Sequence, residues 1–236
     1  MKKLFLAVLS IVGYIAFFGS VASAVPVAIG GPLSGPGDGL NSRWVNTNYA
    51  PHNVDQAIGA LGLNSGDTGY VSEVNQVVSA IDFSDRNLNG WVSGYTYDPM
   101  SPDDNFAVGY SGYINITQSD TYTFRSYTDD GFRLSIGGEM TFQYYGDRAP
   151  GTSTTSLFLD AGLYDFTFIG WEQGGAFVNE LTWHDSSTTT WSLVDSENLF
   201  TSYNNPVPEP GTILLFSTGL MGLIFYRRKK SNGFSA

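Results

Sequence analysis

The sequence predicts a mainly β protein: an antiparallel β-sandwich or barrel-like domain with one or two short helices, flanked by an N-terminal signal peptide and a C-terminal apolar helix. Two observations predict this fold class. The 236 residues include 28 glycines, 14 tyrosines and 16 phenylalanines, and only 14% are charged, a mixture that favours short strands joined by turns. From about residue 105, apolar and polar residues alternate in runs that turn residues separate.

Residues 1–24 have the three parts of a secretory signal peptide. Lys2 and Lys3 form its positive start, residues 4–18 form an apolar run, and Ala22 and Ala24 give a small-x-small cleavage site. The run is short for a membrane span of about 20 residues. We therefore expect cleavage after Ala24, so that the mature protein begins at Val25.

The first part of the exported chain is predicted to be extended and then helical. Residues 25–41 are rich in Gly, Pro and Ser and read as an extended segment that leads into a domain over 42–205. Asn53 can cap a short helix. After Val71, apolar residues recur at helical spacing, which predicts a second short helix packed on a sheet. These residues are Val74, Val77, Val78 and Ile81.

Period-two alternation then continues to residue 184, which indicates strands with one buried face. The alternating runs are 106–116, 122–126, 132–136, 140–144, 164–168 and 177–183. Between them stand turn residues, such as the Asp-Asp-Gly at 129–131 and the Gly-Gly pairs at 137–138 and 174–175. Repeated strands with such gaps predict an antiparallel sandwich or barrel.

The charge balance excludes one class of partner. Between residues 25 and 205, five arginines face 21 of the 22 acidic residues, so this part carries a formal charge of −16. Such a surface repels nucleic acid, whereas divalent cations and neutral glycans are compatible with it. The chain has no cysteine, which excludes disulfides and thiolate metal sites.

The C-terminal end has three consecutive parts over residues 206–230. Pro208, Glu209 and Pro210 hold the chain extended, residues 212–226 are apolar, and a basic cluster follows that includes Arg227 and Arg228. The apolar part can enter a bilayer, and the basic residues keep its end in the cytoplasm. Residues 231–236 form a short cytoplasmic end.

This tail resembles the PEP-CTERM sorting signal, whose Pro-Glu-Pro signature it contains. The resemblance implies recognition by exosortase, transient anchoring in the membrane, cleavage near the signature, and delivery to the outer surface or biofilm matrix of a Gram-negative bacterium. A plain single-span anchor is the alternative, and it also places the domain outside the cell.

Three stretches between residues 105 and 184 resemble another family. They are Gly-Tyr-Ile at 112–114 leading into 120–124, the segment 127–138 around Asp129-Asp130-Gly131, and the segment 161–183, which contains Trp171-Glu172-Gln173-Gly174-Gly175. Their order and spacing are similar to those of the protective-antigen fourteen-kilodalton domain, a β-sandwich-like module found in flocculins, adhesins and glycosidases.

The resemblance implies a calcium site. In the sugar-binding members, two adjacent aspartates joined by a cis peptide bind the ion, which then coordinates two sugar hydroxyls; Asp129 and Asp130 match them. A second loop contributes further oxygens, which implies Gln173 as a metal ligand. For ligand binding, the resemblance implies Asp129 and Asp130, Glu172, Gln173 and Gly175 of the second loop, and Asn179 just beyond it. The alternative for Asp129-Asp130-Gly131 is an ordinary hairpin turn, since Asp and Gly favour turns.

These observations lead to three hypotheses about function. The first is a non-catalytic carbohydrate-binding or adhesive protein that uses calcium and contacts extracellular polysaccharide. The second is a purely structural envelope or matrix protein without a specific ligand. The third is an enzyme, because paired carboxylates can hydrolyse glycosides. The sequence lacks Gly-x-Ser-x-Gly, His-Glu-x-x-His and phosphate-loop motifs, so we expect no enzymatic activity.

Overall fold

The computed structural model describes residues 25–85, 96–100 and 104–203. The predicted signal peptide and the sorting tail lie outside these residues, as do its Pro208, Glu209, Pro210, Arg227 and Arg228. None of the helices within the described ranges is both long and apolar enough to cross a membrane.

Two β-sheets form the domain, which confirms the predicted mainly β fold. The first sheet has the order β2-β1-β5-β10-β7-β8, with β13 also paired to β5, and the second has the order β4-β3-β11-β6-β9, with β12 also paired to β11. Neighbouring strands are antiparallel except for the parallel pair β3 and β4. The elements are β1 (Leu40–Thr47), α1 (Val54–Leu61), β2 (Tyr70–Val78), β3 (Asp82–Ser84), β4 (Thr96–Tyr97), β5 (Phe106–Ile116), β6 (Asp120–Asp129), β7 (Phe132–Ile136), β8 (Glu139–Tyr144), β9 (Gly151–Leu159), β10 (Gly162–Glu172), β11 (Val178–His184), β12 (Ser192–Leu193) and β13 (Leu199–Phe200).

Aromatic side chains from both sheets fill the space between them. Trp44 of β1 contacts Phe83 of β3 with ring centroids 5.2 Å apart. Phe106 of β5 contacts Phe177 at 5.0 Å. All four are buried. Because rings of this size bury large apolar areas, such contacts stabilise the sandwich without disulfides.

The second predicted helix is wrong, because residues 70–78 form strand β2. This strand pairs antiparallel with β1, so that Val78 lies opposite Leu40 and Val74 opposite Trp44. Val74 and Val78 face the core, whereas Val77 is 58% exposed. The side chains therefore alternate with a period of two. β-branched valines favour a strand, and pairing with β1 overrides the apparent helical spacing.

Helix α1 is confirmed, and it covers the outer face of the first sheet. Asn53 caps it: its side-chain oxygen accepts a hydrogen bond from the Gln56 N–H at 3.0 Å. Ala57 packs with Ala107 of β5 and Trp171 of β10, all completely buried. Helix α1 thereby holds Trp171 in place near the end of β10.

Candidate metal centre and ligand site

The predicted aspartate pair lies where β6 passes into β7. β6 ends at Asp129, which pairs with Val178 at the start of β11. The Asp130 N–H donates to the Trp171 carbonyl oxygen at 3.0 Å, which ties the pair to the end of β10. The peptide bond between Asp129 and Asp130 is cis, as the family resemblance implied.

Three buried carboxylates meet at this point. Asp129, Asp130 and Glu172 each offer one oxygen, and these oxygens all lie within 4.8 Å of one another. The three residues are 7%, 3% and 1% exposed. Three carboxylates this close in the protein interior, shielded from water, repel one another unless protons or a cation neutralise them. The arrangement is therefore a candidate metal centre.

Backbone N–H groups orient two of the three carboxylates. Oδ2 of Asp130 accepts from the Gln173 N–H at 2.8 Å, and Oδ1 accepts from the Arg148 N–H at 3.2 Å. Oε1 of Glu172 accepts from the Gly174 N–H at 2.5 Å. The other oxygen of Glu172 is buried and has no hydrogen-bond partner among the described residues. This leaves an oriented, unsatisfied acceptor beside the aspartate pair.

The pKa values of all three carboxyl groups are raised, and burial is the main cause for each. Burial, with the neighbouring charge of Asp130, raises the pKa of Asp129 to about 7. Burial raises the pKa of Asp130 to about 6, although the hydrogen bond from Gln173 opposes the rise. Burial, followed by the charge of Asp130, raises the pKa of Glu172 to about 8. Near neutral pH the group therefore holds protons that a cation can displace.

The aspartate pair opens into a cavity of about 350 Å³. Its lining consists of Asp129, Asp130, Asp147, Arg148, Ala149, Gln173 and Gly174. Solvent and small ligands therefore reach Asp129 and Asp130 from one side, while Glu172 approaches them from the interior.

Two lining residues, Asp147 and Arg148, were not identified from the sequence. Asp147 is held by the Trp171 indole N–H at 3.1 Å and by His52 Nδ1 at 2.7 Å. Nε of Arg148 donates to the Thr128 carbonyl oxygen at 3.1 Å. Both residues lie in the loop after β8, and no local motif marks them. Only the pairing of distant strands brings this loop beside the aspartate pair.

The other residues implied for the second loop differ in their placement. Gln173 reaches Asp130 through its main-chain N–H, and its residue lines the cavity. Gly175 follows in the same loop with a positive φ of 114°, but it is not among the lining residues. Asn179 is completely buried on β11, and its side chain packs directly against Gly170. Asn179 is not among the described residues that line the cavity.

Two family models match different parts of this chain. The family model described as PA14 domain, the protective-antigen family named above, matches residues 65–195, a longer stretch than the resemblance at 105–184. The model of the PEP-CTERM protein-sorting motif matches residues 206–230. This motif implies export to the cell envelope of a Gram-negative bacterium.

One curated relative is the anti-sigma-I factor RsgI3 of Acetivibrio thermocellus, 28% identical over 120 residues. The alignment covers 50% of this chain and 18% of the relative, so the two share only a part of the longer protein.

Solved structures with low sequence identity share the fold. The PA14 domain of the MpAFP antifreeze protein has a TM-score of 0.55 at 17% identity, over 74% of this chain and 96% of that chain. The PA14 sugar-binding domain of an RTX adhesin has a TM-score of 0.54 at 21% identity, over 70% and 99%. The epithelial adhesin 6 A domain from Candida glabrata, solved with Galb1-3GlcNAc, has a TM-score of 0.51 at 16% identity, over 75% and 94%.

Proposed function

The chain belongs to the PA14 domain family, and we propose that it is a non-catalytic surface or matrix protein that binds extracellular carbohydrate through calcium. Asp129, Asp130 and Glu172 would hold the ion. Sugar hydroxyls would reach it from the cavity. The names of two structural relatives, a sugar-binding adhesin domain and an adhesin solved with a disaccharide, support the ligand class.

The observation that carries the proposal is the group of three buried carboxylate oxygens within 4.8 Å of one another. The three candidate ligand atoms are all carboxylate oxygens. Oxygen ligands suit a hard cation such as calcium better than a soft one. Calcium takes six to eight oxygen ligands. Three carboxylates leave some of these positions to other oxygens, and the cavity beside Asp130 gives hydroxyl groups access to them.

The charges favour a neutral sugar over an acidic one. The three carboxylates carry three negative charges when ionised, calcium supplies two positive charges, and Asp147 adds a further acid at the cavity wall. Arg148 supplies one positive charge, but its guanidinium is engaged with Thr128, Ser153 and the ring of Tyr144. An anionic sugar would therefore meet an excess of negative charge.

A glycan array with calcium, and again with a chelator, tests this proposal. We expect the wild-type protein to bind neutral glycans in calcium and to lose that binding in chelator. Glu172→Gln should bind none, because it removes one ionised ligand while keeping the side-chain shape. Asp165→Asn is the matched control, since Asp165 is exposed on the same strand.

Binding that persists in chelator or in Glu172→Gln would contradict a calcium-dependent site. If the protein takes up calcium but binds no glycan, the structural role without a ligand would stand instead. Hydrolysis of the arrayed glycans would contradict the non-catalytic assignment.

The sorting motif supports a second part of the proposal. We propose that exosortase recognises Pro208, Glu209 and Pro210 while residues 212–226 anchor the exported chain in the membrane. Cleavage would then release the domain to the outer surface or the biofilm matrix.

Glu209→Ala should cross the inner membrane normally but accumulate with its tail attached. Fractionation with mass measurement checks this, with Glu197→Ala as control. A Glu209→Ala protein that matures at the normal rate and size would contradict the role of exosortase.

A further inference from the structure

Strand β9 forms one edge of the second sheet. It pairs with β6 along its whole length, from Gly151 opposite Thr128 to Leu159 opposite Asp120. In the described part of the chain, no strand pairs with its other edge. The outward N–H and C=O groups of such an edge are a template for a further strand.

The other sheet edges among the described residues carry features that oppose such pairing. β2 contains Glu73, which forms an ion pair with Arg43 at 2.6 Å. β8 starts with Glu139, and its pairing with β7 has a register shift. β4 has only two residues. Charges, irregular pairing and short length are the usual means by which edge strands are kept from associating.

β9 has none of these features. Its nine residues, Gly-Thr-Ser-Thr-Thr-Ser-Leu-Phe-Leu, include no charge and no proline, although the exported domain is strongly acidic. Phe158 is 57% exposed, and it lines a cavity of about 410 Å³ together with the exposed side chains of Met140 and Val25. An unprotected edge beside exposed apolar side chains indicates a surface that another chain covers.

The strand is complementary to a second copy of itself. When two copies of β9 pair antiparallel about a two-fold axis at Thr155, all nine residues find a partner. Thr154 then lies opposite Ser156 of the second copy, and Thr152 lies opposite Phe158 of that copy. Pairs of hydroxyl residues, and pairs of an aromatic with a β-branched residue, are favourable across strands. No two charged residues of the paired strands meet, so the acidic domains approach where repulsion is least.

The size of this edge suits a stable contact. Nine residues at about 3.4 Å each make an edge about 30 Å long, and two sheets stacked about 10 Å apart make it roughly 20 Å deep with their side chains. The contact then covers about 600 Å² on each copy, or about 1,200 Å² in total, which reaches the lower limit for specific interfaces. Main-chain hydrogen bonds between the two strands add affinity, as in other complexes formed by strand addition.

We propose that β9 is the interface of a two-fold symmetric dimer, in which the second sheets of two copies join into one continuous sheet. The carboxylate group lies at the Gly151 end of β9, because Asp129 directly follows Thr128, the partner of Gly151. Antiparallel pairing separates the two Gly151 ends by about 27 Å along the strands. The consequence for binding rests on the proposed function: the dimer presents two sugar-binding sites at opposite ends, so it can bridge two polysaccharide chains.

Single cysteines test the register, since the chain has no cysteine of its own. Thr155 lies at the two-fold axis, so the Cα atoms of two Thr155→Cys copies are about 4.5–5.5 Å apart, within the range of a disulfide. Thr152→Cys is the matched control. It is more exposed on the same strand, but its two copies are about 20 Å apart along the strands. On oxidation of the full-length protein in chelator, we expect a disulfide-linked dimer from Thr155→Cys and none from Thr152→Cys.

Charge variants test the pairing without a covalent link. Thr154→Glu with Ser156→Glu changes two exposed residues that face each other across the axis, so like charges should keep the protein monomeric. Thr154→Lys with Ser156→Lys should do the same, and a mixture of the two variants should form a heterodimer. Ser72→Glu with Gln76→Glu adds the same charge to exposed positions of β2 and should leave the dimer intact. Sedimentation of the full-length chains in mild detergent and chelator measures the mass, from about 1 to 200 µM because a small interface gives a micromolar Kd.

Three results would overturn the dimer: a wild type that stays monomeric over this range, an equal disulfide yield from Thr152→Cys and Thr155→Cys, or charge variants that do not associate when mixed. All these measurements are made in chelator, so failure of the calcium proposal would leave them unchanged. Calcium-dependent glycan binding by a monomer would leave the proposed function standing without the dimer.

Discussion

At pH 8, millimolar calcium is expected to raise the melting temperature by about 5–10 °C over that in chelator. An ion present at about a hundred times its dissociation constant stabilises the folded state by about 2.7 kcal/mol. For a domain of about 150–250 residues, each kcal/mol moves the melting temperature by about 2–4 °C. Thermal unfolding followed by circular dichroism, with and without chelator, measures this difference.

The same experiment at lower pH should give a smaller difference. In the free protein, the folded-state pKa values of Asp129, Asp130 and Glu172 are raised to about 7, 6 and 8. A raised pKa stabilises the fold below the unfolded value of about 4, and this stabilisation is lost as pH rises through the folded value. In chelator, the melting temperature should therefore fall from pH 5 to pH 8. Calcium must displace these protons, so its effect should be small at pH 5 and largest at pH 8.

Two variants separate calcium binding from ordinary stabilisation by salt. Asp129→Asn removes a buried charge to which no described residue donates a hydrogen bond, and Glu172→Gln keeps the oxygen that accepts from Gly174. In chelator at pH 8, both should melt above the wild type because carboxylate repulsion is relieved. Both should lose the calcium response, while Asp165→Asn retains it. A wild type that does not respond to calcium, or variants that respond fully, would contradict the metal centre.

The sequence predicted the strand regions of the sandwich because one face of each strand is buried. Along β5, for example, Phe106, Val108 and Tyr110 all point into the core. The same logic failed at β2, an edge strand where Val77 is exposed and Val74 is only partly buried. Four valines at mixed spacing fit a helix and a strand equally well, and pairing with β1 decides between them. Such pairing is a long-range contact that local periodicity does not contain.

The candidate site was predictable where it depends on adjacent residues. Asp129 and Asp130 are neighbours in the chain, and the family resemblance rests on short local stretches, so it implied both this pair and the loop that begins at Glu172. Asp147 and Arg148 could not be identified, because their position depends on Trp171 and Thr128, which are about 20 residues distant or more. The sequence also did not show which face of β11 carries the Asn179 side chain. A shift of one residue in a strand exchanges the buried and exposed faces.

The Asp129-Asp130-Gly131 stretch is not the hairpin turn that its composition allowed as an alternative, because β6 and β7 belong to different sheets. The alternative rested on the preference of Asp and Gly for turns, in which glycine commonly adopts positive φ. The structure assigns positive φ to other glycines but not to Gly131. A methyl group at this position would instead lie 2.4 Å from Cη2 of Trp171 and 2.4 Å from the Tyr144 carbonyl oxygen. Glycine is needed here because the surrounding atoms leave no room for a side chain.

Gly131→Ala should therefore be strongly destabilising. The added carbon would also lie 2.5 Å from the Gly146 carbonyl oxygen, so two of the three close atoms belong to the backbone and cannot rotate away. Overpacking of this kind costs about 3 kcal/mol at the upper end of its usual range. This lowers the melting temperature by about 6–12 °C. The backbone that must move leads into Asp147 and Arg148, so the calcium response should shrink as well.

Gly146→Ala is the matched control, because nothing lies within 4 Å of a methyl group there. It removes a glycine from the same neighbourhood without creating a clash, so it should melt close to the wild type and keep its calcium response. Thermal unfolding of both variants, in chelator and in calcium, makes the comparison. If Gly131→Ala melts within about 2 °C of Gly146→Ala, less than 1 kcal/mol separates them. The close atoms around Gly131 would then not be what restricts this position to glycine.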